Sequence, residues 1–285
     1  MKLDKSLNIL IIGLGLLGGS YAISLKRQGY KVEAIETDPE SCRFAVENNM
    51  VDRVFSSPEK AVIENADLII FALYPHIFRE WIKDHAHLLK SGVILTDVTG
   101  VKTPIIDKIN SCLPSGVEFI AAHPMAGREV CGIKNSDDSI FKGANYIVVP
   151  TEKNTDKAIK LCKSLGETLG FKDISELTPE KHDDMIAFLS QLTHCIAISL
   201  MCSNSDPDLV RYTGDSFRDL TRIANINDEM WSELFLCNRD ALLKEMDSYR
   251  SSFDELYNYI KSGNREAMRK MMLVSSARRR KFDKR

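Results

Sequence analysis

The sequence has few of the features that mark membrane, secreted or nucleic-acid-binding proteins. Neither sign of charge dominates, because 38 lysines and arginines balance 40 aspartates and glutamates, so no nucleic acid or anionic membrane is expected as a partner. The seven cysteines are scattered and form no C-x-x-C pair, which argues against a disulfide framework and a zinc site. No uninterrupted apolar segment reaches membrane-spanning length. We therefore expect a cytoplasmic protein with reduced thiols and no metal.

The chain does contain a regular alternation of strand and helix patterns. Strands are predicted at residues 8–12, 31–36, 67–73, 92–98, 118–122, 144–149 and 172–177. Helical patterns lie between them, and this alternation favours a mostly parallel sheet covered by helices.

The strand patterns stop after Thr178, where a threonine–proline pair marks a helix start. Apolar residues then recur at three- and four-residue spacing from Trp231 to Ile260, as along one face of a long helix. The sequence thus predicts two domains, an α/β domain at 1–177 and an all-α domain at 178–285. A helical half this apolar needs a partner surface, so we expect a homodimer, although an intrachain bundle would satisfy the same pattern.

The first functional motif is a glycine loop between the first strand and a helix. It reads Gly13-Leu14-Gly15-Leu16-Leu17-Gly18. Glycines there allow a tight turn, close approach to a pyrophosphate and close helix packing, and the N–H groups at the helix start attract phosphate. Glu36 ends the second strand, where a carboxylate binds the adenosine ribose and repels the 2′-phosphate of NADP. The pattern predicts a Rossmann-type domain that binds NAD; the alternative is a structural loop with a surface acid.

Later strand ends are expected to face the same cofactor, because ligands bind at the carboxyl ends of strands in such sheets. One loop contributes Leu73, Tyr74 and Pro75, and the next contributes Thr99. His123 follows the predicted strand 118–122 at the same edge. An imidazole there can take a proton from an alcohol while hydride leaves the adjacent carbon, although a structural role for a lone histidine is also open.

Four segments occur together in a characteristic order. They are Gly13-x-Gly15-Leu16-x-Gly18-Gly19-Ser20, Asp97-Val98-Thr99-Gly100-Val101-Lys102, His123-Pro124-Met125-Ala126-Gly127, and Phe217-Arg218-Asp219-Leu220-Thr221-Arg222-Ile223-Ala224 followed by Trp231. Together they resemble the prephenate dehydrogenase family of tyrosine biosynthesis, and the last two segments are the most specific. The resemblance implies an NAD-dependent oxidoreductase that converts prephenate to 4-hydroxyphenylpyruvate by oxidative decarboxylation.

The resemblance also implies roles for five side chains. His123 polarises or deprotonates the ring hydroxyl, and Arg222 binds a substrate carboxylate. His194 contacts substrate from a long helix, Glu129 lies at the pocket mouth, and Arg218 lies near the side-chain end of the substrate. The residues alone leave open a surface ion pair for Arg222 and a core position for His194. The remaining histidines match nothing and are expected to be surface or structural: His76, His85, His87 and His182.

Gly100 departs from the family pattern, in which many members carry a serine whose hydroxyl supports the catalytic histidine. The sequence leaves open whether Thr99 or a water takes its place. Arogenate dehydrogenase, with the same chemistry on an amino acid side chain, is the alternative activity, and His194 inclines the interpretation to prephenate. A non-catalytic NAD-sensing or scaffold protein is a remote alternative, against which His123 and Arg222 argue.

Overall fold

The computed structural model describes residues 3–282 of the chain. These residues form two compact units, which adjoin in sequence at Asn238 and Arg239. The first unit therefore contains the α/β part and the helices that follow it up to Asn238. From residue 178 onward the described residues form helices and no strand, which confirms the predicted fold class.

The α/β part alternates strands with helices. The strands are β1 (Ile9–Ile12), β2 (Val32–Ile35), β3 (Arg53–Phe55), β4 (Leu68–Phe71), β5 (Ile94–Asp97), β6 (Glu118–Phe119), β7 (Ala121–Pro124), β8 (Asn145–Val149) and β9 (Asp173–Glu176). The helices are α1 (Leu16–Arg27), α2 (Pro39–Glu47), α3 (Lys60–Asn65), α4 (Pro75–His85), α5 (Thr103–Asn110) and α6 (Asp156–Leu169).

The later helices are shared between the two units. The first unit holds α7 (Pro179–Ile186), α8 (Leu192–Cys202), α9 (Asp215–Thr221) and α10 (Asp228–Cys237), and the second holds α11 (Arg239–Lys261) and α12 (Arg265–Arg279). A π-helical stretch, Ala187–Gln191, joins α7 to α8.

Six parallel strands form the main sheet in the order β3-β2-β1-β4-β5-β6, which is typical of dinucleotide-binding folds. Alternate residues of β1 lie on opposite faces: Ile9 and Ile11 join one buried cluster, and Leu10 and Ile12 join the other. Burial on both faces explains why this strand is continuously apolar. The strand order reverses between β1 and β4, so the loops after these strands border the crevice where ligands bind.

The strand predicted at 118–122 is in fact two strands in two sheets. β6 ends the main sheet, whereas β7 pairs antiparallel with β8, and β8 pairs parallel with β9. The Ile120 N–H still bonds to the backbone of β5. The Ala122 N–H instead bonds to the carboxylate of Asp97 at 3.0 Å, so a side chain replaces the backbone ladder and the chain leaves the sheet. His123 therefore lies within β7 and not after the end of a strand.

The apolar pattern from Trp231 to Ile260 belongs to two helices, and the prediction of one long helix is wrong. α10 ends at Asn238, whose backbone leaves helical geometry (φ −115°, ψ 28°). The Asn238 side-chain amide donates to Asp183 O at 2.9 Å and to Gln191 Oε1 at 2.8 Å. These long-range bonds hold Asn238 at the end of α10, and the apolar spacing of the sequence carries no sign of them.

The helical stretch Pro179–Cys202 is long and apolar enough to cross a membrane, judged by length and composition alone. The sequence-based statement that no segment has this length is therefore wrong. The stretch carries three buried polar side chains, those of His182, Asp183 and Gln191. Each is hydrogen-bonded to other protein groups, as is typical of a helix packed against protein.

Candidate active site

The glycine loop after β1 has the geometry of a phosphate-binding turn. Gly13 has φ +90°, a conformation that favours glycine, and a Cβ at Gly18 would overlap the Gly13 carbonyl. At Gly15, by contrast, the position of a Cβ has no neighbouring atom within 4 Å, and no side chain caps α1. Open space before an uncapped helix start fits a pyrophosphate on the N–H groups of Leu16 and Leu17.

Glu36 follows β2 and holds the glycine loop in place. Its Oε2 accepts a hydrogen bond from the Leu14 N–H at 2.7 Å, and its Oε1 accepts one from the Asp38 N–H at 2.9 Å. Each carboxylate oxygen keeps a second lone pair that a ribose hydroxyl can use. The acid predicted for the ribose thus also shapes the loop, a role that sequence analysis did not identify.

The loop after β4 contacts both the glycine loop and the segment that begins α10. The side chain of Leu73 lies next to Gly13, and Pro75 occupies the first turn of α4. The Tyr74 hydroxyl accepts a hydrogen bond from Asn227 Nδ2 at 3.0 Å. The crevice expected to hold the cofactor is therefore connected to the helices after 178.

Three of the four histidines without a predicted role are structural or exposed. His76 Nδ1 lies 2.7 Å from an oxygen of Glu233 on α10. His85 bonds to a backbone oxygen of its own helix, and His87 is exposed. The fourth, His182, is fully buried and contacts the predicted catalytic histidine.

A chain of hydrogen bonds ends at His123. Its Nδ1 lies 2.9 Å from Nε2 of His182, and Nδ1 of His182 lies 2.8 Å from Oδ1 of Asp183. The Asp183 carboxylate also accepts the N–H groups of Lys102 and Thr103, each at 2.8 Å, where α5 begins. This series of hydrogen bonds therefore runs from the start of α5 through α7 to His123 in β7.

The protonation states of this chain follow from burial and hydrogen bonding. Burial, with the neighbouring His182 and Lys102, holds the pKa of His123 well below its usual range. Burial also lowers the pKa of His182, against an opposing hydrogen bond to Asp183. Burial would raise the pKa of Asp183, but its hydrogen bonds from His182, Thr103 and Lys102 outweigh that effect and lower it. At neutral pH both imidazoles are therefore neutral, and Asp183 is ionised.

A buried ion pair supports the backbone directly before His123. Lys102 Nζ lies 2.8 Å from Asp97 Oδ2, and both side chains are fully buried. Asp97 Oδ1 accepts the Ala122 N–H at 3.0 Å, and Lys102 Nζ donates to Ala122 O. Each charge compensates the other in a site without solvent, and both fix Ala122.

Thr99 does not replace the hydroxyl missing at Gly100. Its Oγ1 donates to Asp97 and accepts from Lys102 Nζ at 3.3 Å. A Cβ at Gly100 would lie 4.0 Å from Nε2 of His123 and 3.5 Å from the side chain of Leu234. Nε2 of His123 therefore faces Gly100, while its Nδ1 faces His182.

α10 contacts the surroundings of both the predicted catalytic histidine, His123, and the predicted substrate histidine, His194. Leu234 lies against Gly100, and Trp231, three residues earlier, stacks on His194 with ring centroids 3.7 Å apart. Residues three apart on a helix share a face, so the two contacts lie about 4.5 Å apart along the helix axis. His194 Nδ1 donates to Ser190 O at 2.8 Å, which leaves its Nε2 as an acceptor.

Two further predicted residues join His194, and one does not. Glu129 and Arg222 form an ion pair. Burial lowers the pKa of His194, the charge of Glu129 opposes this shift, and the charge of Arg222 adds to it. The side chains of His194, Glu129 and Arg222 are therefore close enough to interact electrostatically. Arg218 instead bonds locally, to Asp215 at 2.6 Å and to a backbone oxygen of its own segment.

The loop between β7 and β8 borders a cavity of about 550 Å³, lined by residues 128–130 and 134–137. Ser136 Oγ in this loop donates to Gly15 O at 3.2 Å. The lining thus includes Glu129 at the predicted pocket mouth and Ser136, which contacts the glycine loop. Within residues 3–282 no three potential metal ligands are grouped.

Comparison with known proteins identifies the family. The model of the prephenate dehydrogenase nucleotide-binding domain matches residues 21–174, and that of the prephenate dehydrogenase dimerization domain matches residues 178–274. The prephenate dehydrogenase of Bacillus subtilis is 29% identical over 266 residues, which cover 90% of this chain and 71% of that protein.

Solved structures agree over nearly the whole chain. One is the prephenate dehydrogenase of A. aeolicus in complex with hydroxyphenyl propionate and NAD+, with a TM-score of 0.89 at 30% sequence identity. The match covers 97% of this chain and 98% of the A. aeolicus chain. Synechocystis arogenate dehydrogenase has a TM-score of 0.82 at 28% sequence identity, and the match covers 96% of this chain and 99% of the Synechocystis chain. With both domain models matched in sequence order and a glycine loop suited to a pyrophosphate, the chain belongs to the prephenate dehydrogenase family and is an NAD-dependent oxidoreductase.

Proposed function

We propose that this protein converts prephenate to 4-hydroxyphenylpyruvate with NAD+ as the oxidant. The observation that carries the proposal is a neutral His123, whose Nε2 faces the cleft at Gly100 beside the dinucleotide crevice. A base in this state can take a proton from an alcohol at neutral pH. The complex of the A. aeolicus relative supports an aromatic product, because its ligand carries a hydroxyphenyl ring and a carboxylate.

In the proposed reaction, His123 Nε2 accepts the proton of the ring hydroxyl as hydride leaves the carbon that bears it. Bound NAD+ supplies the hydride acceptor. The ring carboxylate then leaves as carbon dioxide, its bonding electrons enter the ring, and His123 returns the proton to the ring oxygen. Prephenate and NAD+ thus give 4-hydroxyphenylpyruvate, carbon dioxide and NADH with no net proton.

The proposed substrate contacts are supported by the cluster at His194. Arg222 presents a planar fork of donors that suits a carboxylate, and in this structure its partner Glu129 occupies that fork. A substrate carboxylate would take the place of Glu129 on Arg222. His194 offers Nε2 to a substrate hydroxyl, and Arg218, which is exposed, is proposed to face the side-chain end.

Arogenate is the second candidate substrate, supported by the similarity to the Synechocystis enzyme. Its side chain carries an ammonium group, which Glu129 could pair with once Arg222 holds a carboxylate. The test is NADH absorbance with each substrate and NAD+. We expect a higher kcat/KM with prephenate; the reverse order would assign arogenate, and no turnover with either would refute the proposed activity.

We also propose that the helical domain, 178–285, forms a homodimer. The support is the match to a dimerization domain and a stripe of exposed apolar side chains along α11. The stripe consists of Leu243, Met246, Tyr249, Phe253, Tyr257 and Ile260. Sedimentation equilibrium should give twice the chain mass of 32.1 kDa; a monomer at micromolar concentration would contradict it.

A cytoplasmic location belongs to the same proposal. All seven cysteines are free, as suits a reducing compartment, and the expected partners are small molecules. Fractionation of cells that produce the protein should place it with soluble proteins, whereas recovery with membranes would assign a lipid contact to Pro179–Cys202.

A further inference from the structure

We propose that His182 and Asp183 are positioning residues that fix which ring nitrogen of His123 carries its proton. In this arrangement Nδ1 of His123 is protonated, and Nε2 faces the substrate as an acceptor. The inference rests on the proposed role of His123 as the base. It adds two residues of α7 to which the sequence alone assigned no role.

The chain of hydrogen bonds has a fixed direction because it begins at an ionised carboxylate. Asp183 accepts backbone N–H groups from Lys102 and Thr103. These belong to the start of α5, where N–H groups lack helical partners and the helix dipole favours negative charge. An ionised carboxylate only accepts hydrogen bonds, so Nδ1 of His182 must be the donor in its 2.8 Å contact with Asp183.

His182 keeps the same direction of donation, because it donates through Nδ1 and accepts through Nε2. This side chain is fully buried, and the nearby ammonium of Lys102 disfavours a second positive charge. A neutral imidazole has a single N–H, so Nε2 of His182 is an acceptor. Nδ1 of His123, 2.9 Å away, must therefore be the donor, and the lone pair of neutral His123 lies on Nε2.

The other charged groups near this chain do not alter its direction. The described hydrogen bonds of Lys102 Nζ run to Asp97, Thr99 and Ala122 and not to either imidazole. On the cleft side, residue 100 is glycine and brings no hydroxyl to Nε2 of His123. The orientation of this ring is thus set from its Nδ1 side.

The fixed tautomer matters because the wrong one cannot act as a base. The proton on one ring nitrogen of a histidine is placed by the hydrogen bond that the other makes. If the partner of Nδ1 is removed, His123 can carry its proton on Nε2, and the atom that faces the substrate then has no lone pair. Loss of such control in a catalytic triad lowers kcat while the geometry persists.

Two substitutions at one position separate tautomer control from simple support. In His182→Gln the amide group lies as far from the backbone as Nε2 of the histidine does. Its nitrogen donates to Asp183, so its oxygen is turned towards His123 and can accept a hydrogen bond from it. In His182→Asn the amide group lies as far from the backbone as Nδ1 of the histidine does. It can therefore keep the hydrogen bond to Asp183 but loses the one to His123. We expect His182→Gln to keep kcat within about tenfold and His182→Asn to lose about 100-fold or more, with KM little changed.

Matched controls are the same two substitutions at the exposed His87, which should leave kcat unchanged. Thermal unfolding checks that both variants of His182 fold. Equal kcat in the two variants, or a higher kcat in His182→Asn, would overturn the proposal. That result is expected if His182 only holds Asp183 in place and does not set the tautomer of His123.

A second measurement does not depend on turnover. Nitrogen-15 NMR of labelled histidines distinguishes protonated from unprotonated ring nitrogens, and the His123→Asn spectrum assigns the His123 signals. We expect a protonated Nδ1 and an unprotonated Nε2 in the wild-type protein, and the reverse result would overturn the inference. If neither prephenate nor arogenate is oxidised, the proposed function fails, and this spectrum still decides the tautomer.

Discussion

Leu234 packs against Gly100, with its Cδ1 3.5 Å from the point where a Cβ would lie. This is an ordinary van der Waals distance, and the same point is 4.0 Å from Nε2 of His123. A small side chain therefore fits at residue 100, and a branched one would be pressed between Leu234 and His123.

The first prediction concerns Gly100→Ser, which adds a hydroxyl beside Nε2 of His123. Because His182 already orients the ring from its other nitrogen, we expect kcat to change by less than about tenfold and the unfolding temperature to stay unchanged. Gly100→Val is the matched steric control and should lose most activity. A large gain in kcat for the serine variant would show that the ring is poorly held in the wild type.

Substitution of the proposed base should separate binding from chemistry. His123→Asn keeps a polar side chain but cannot accept the substrate proton at the position of Nε2. We expect kcat to fall by about 10²- to 10⁴-fold, with NAD+ affinity unchanged in a fluorescence titration. Near-normal turnover would remove His123 from the mechanism.

Arg222→Ala should act on the substrate and not on the cofactor. Loss of charge-assisted hydrogen bonds of about 1.5–3 kcal/mol corresponds to a rise in the substrate KM of about 10- to 150-fold. The KM for NAD+ should not change. Arg211→Ala, at another exposed arginine, is the control, and an unchanged substrate KM for Arg222→Ala would exclude the role.

The pH dependence should follow the neutral state of His123. Burial and the neighbouring His182 and Lys102 lower its pKa below the ordinary 6.5, so the base form persists as pH falls through that value. We expect kcat/KM to remain level through pH 6.5 and to decline only at lower pH, where His123 binds a proton. A decline centred at or above pH 6.5 would contradict the lowered pKa of His123.

Glu36→Gln should weaken the choice of NAD over NADP. The glutamine oxygen can still accept the Leu14 N–H and keep the glycine loop. The bond from the Asp38 N–H is lost, and the charge that repels a 2′-phosphate is gone. We expect the ratio of kcat/KM values for NAD and NADP to fall by about tenfold or more. Glu47→Gln, at an exposed acid of α2, is the control, and an unchanged ratio would assign Glu36 to loop structure alone.

Local patterns made the cofactor crevice predictable from the sequence. The apolar run at 8–12, the glycine loop and Glu36 are close in the chain, and their spacing alone determines a strand, a turn and a helix start. The division between β6 and β7 was not predictable, because it depends on the Asp97 side chain bonding to Ala122. The break at Asn238 depends likewise on partners more than 40 residues away.

His182 shows a different limit of sequence reasoning. Its partner His123 is 59 residues away, so no local spacing connects the two histidines. The adjacent pair His182-Asp183 was the available signal, since a carboxylate next to a histidine can orient it. That signal becomes specific only when folding brings the start of α5 to the same point.

The buried pair of Asp97 and Lys102 restricts how this site can evolve. Loss of either partner alone would leave an uncompensated charge inside the protein, at a cost of about 3–5 kcal/mol. That is a large part of the roughly 5–15 kcal/mol by which a native protein is stable. Homologous sequences should therefore either keep both residues or replace both together, and a single exchange at residue 97 or 102 should be rare among functional variants.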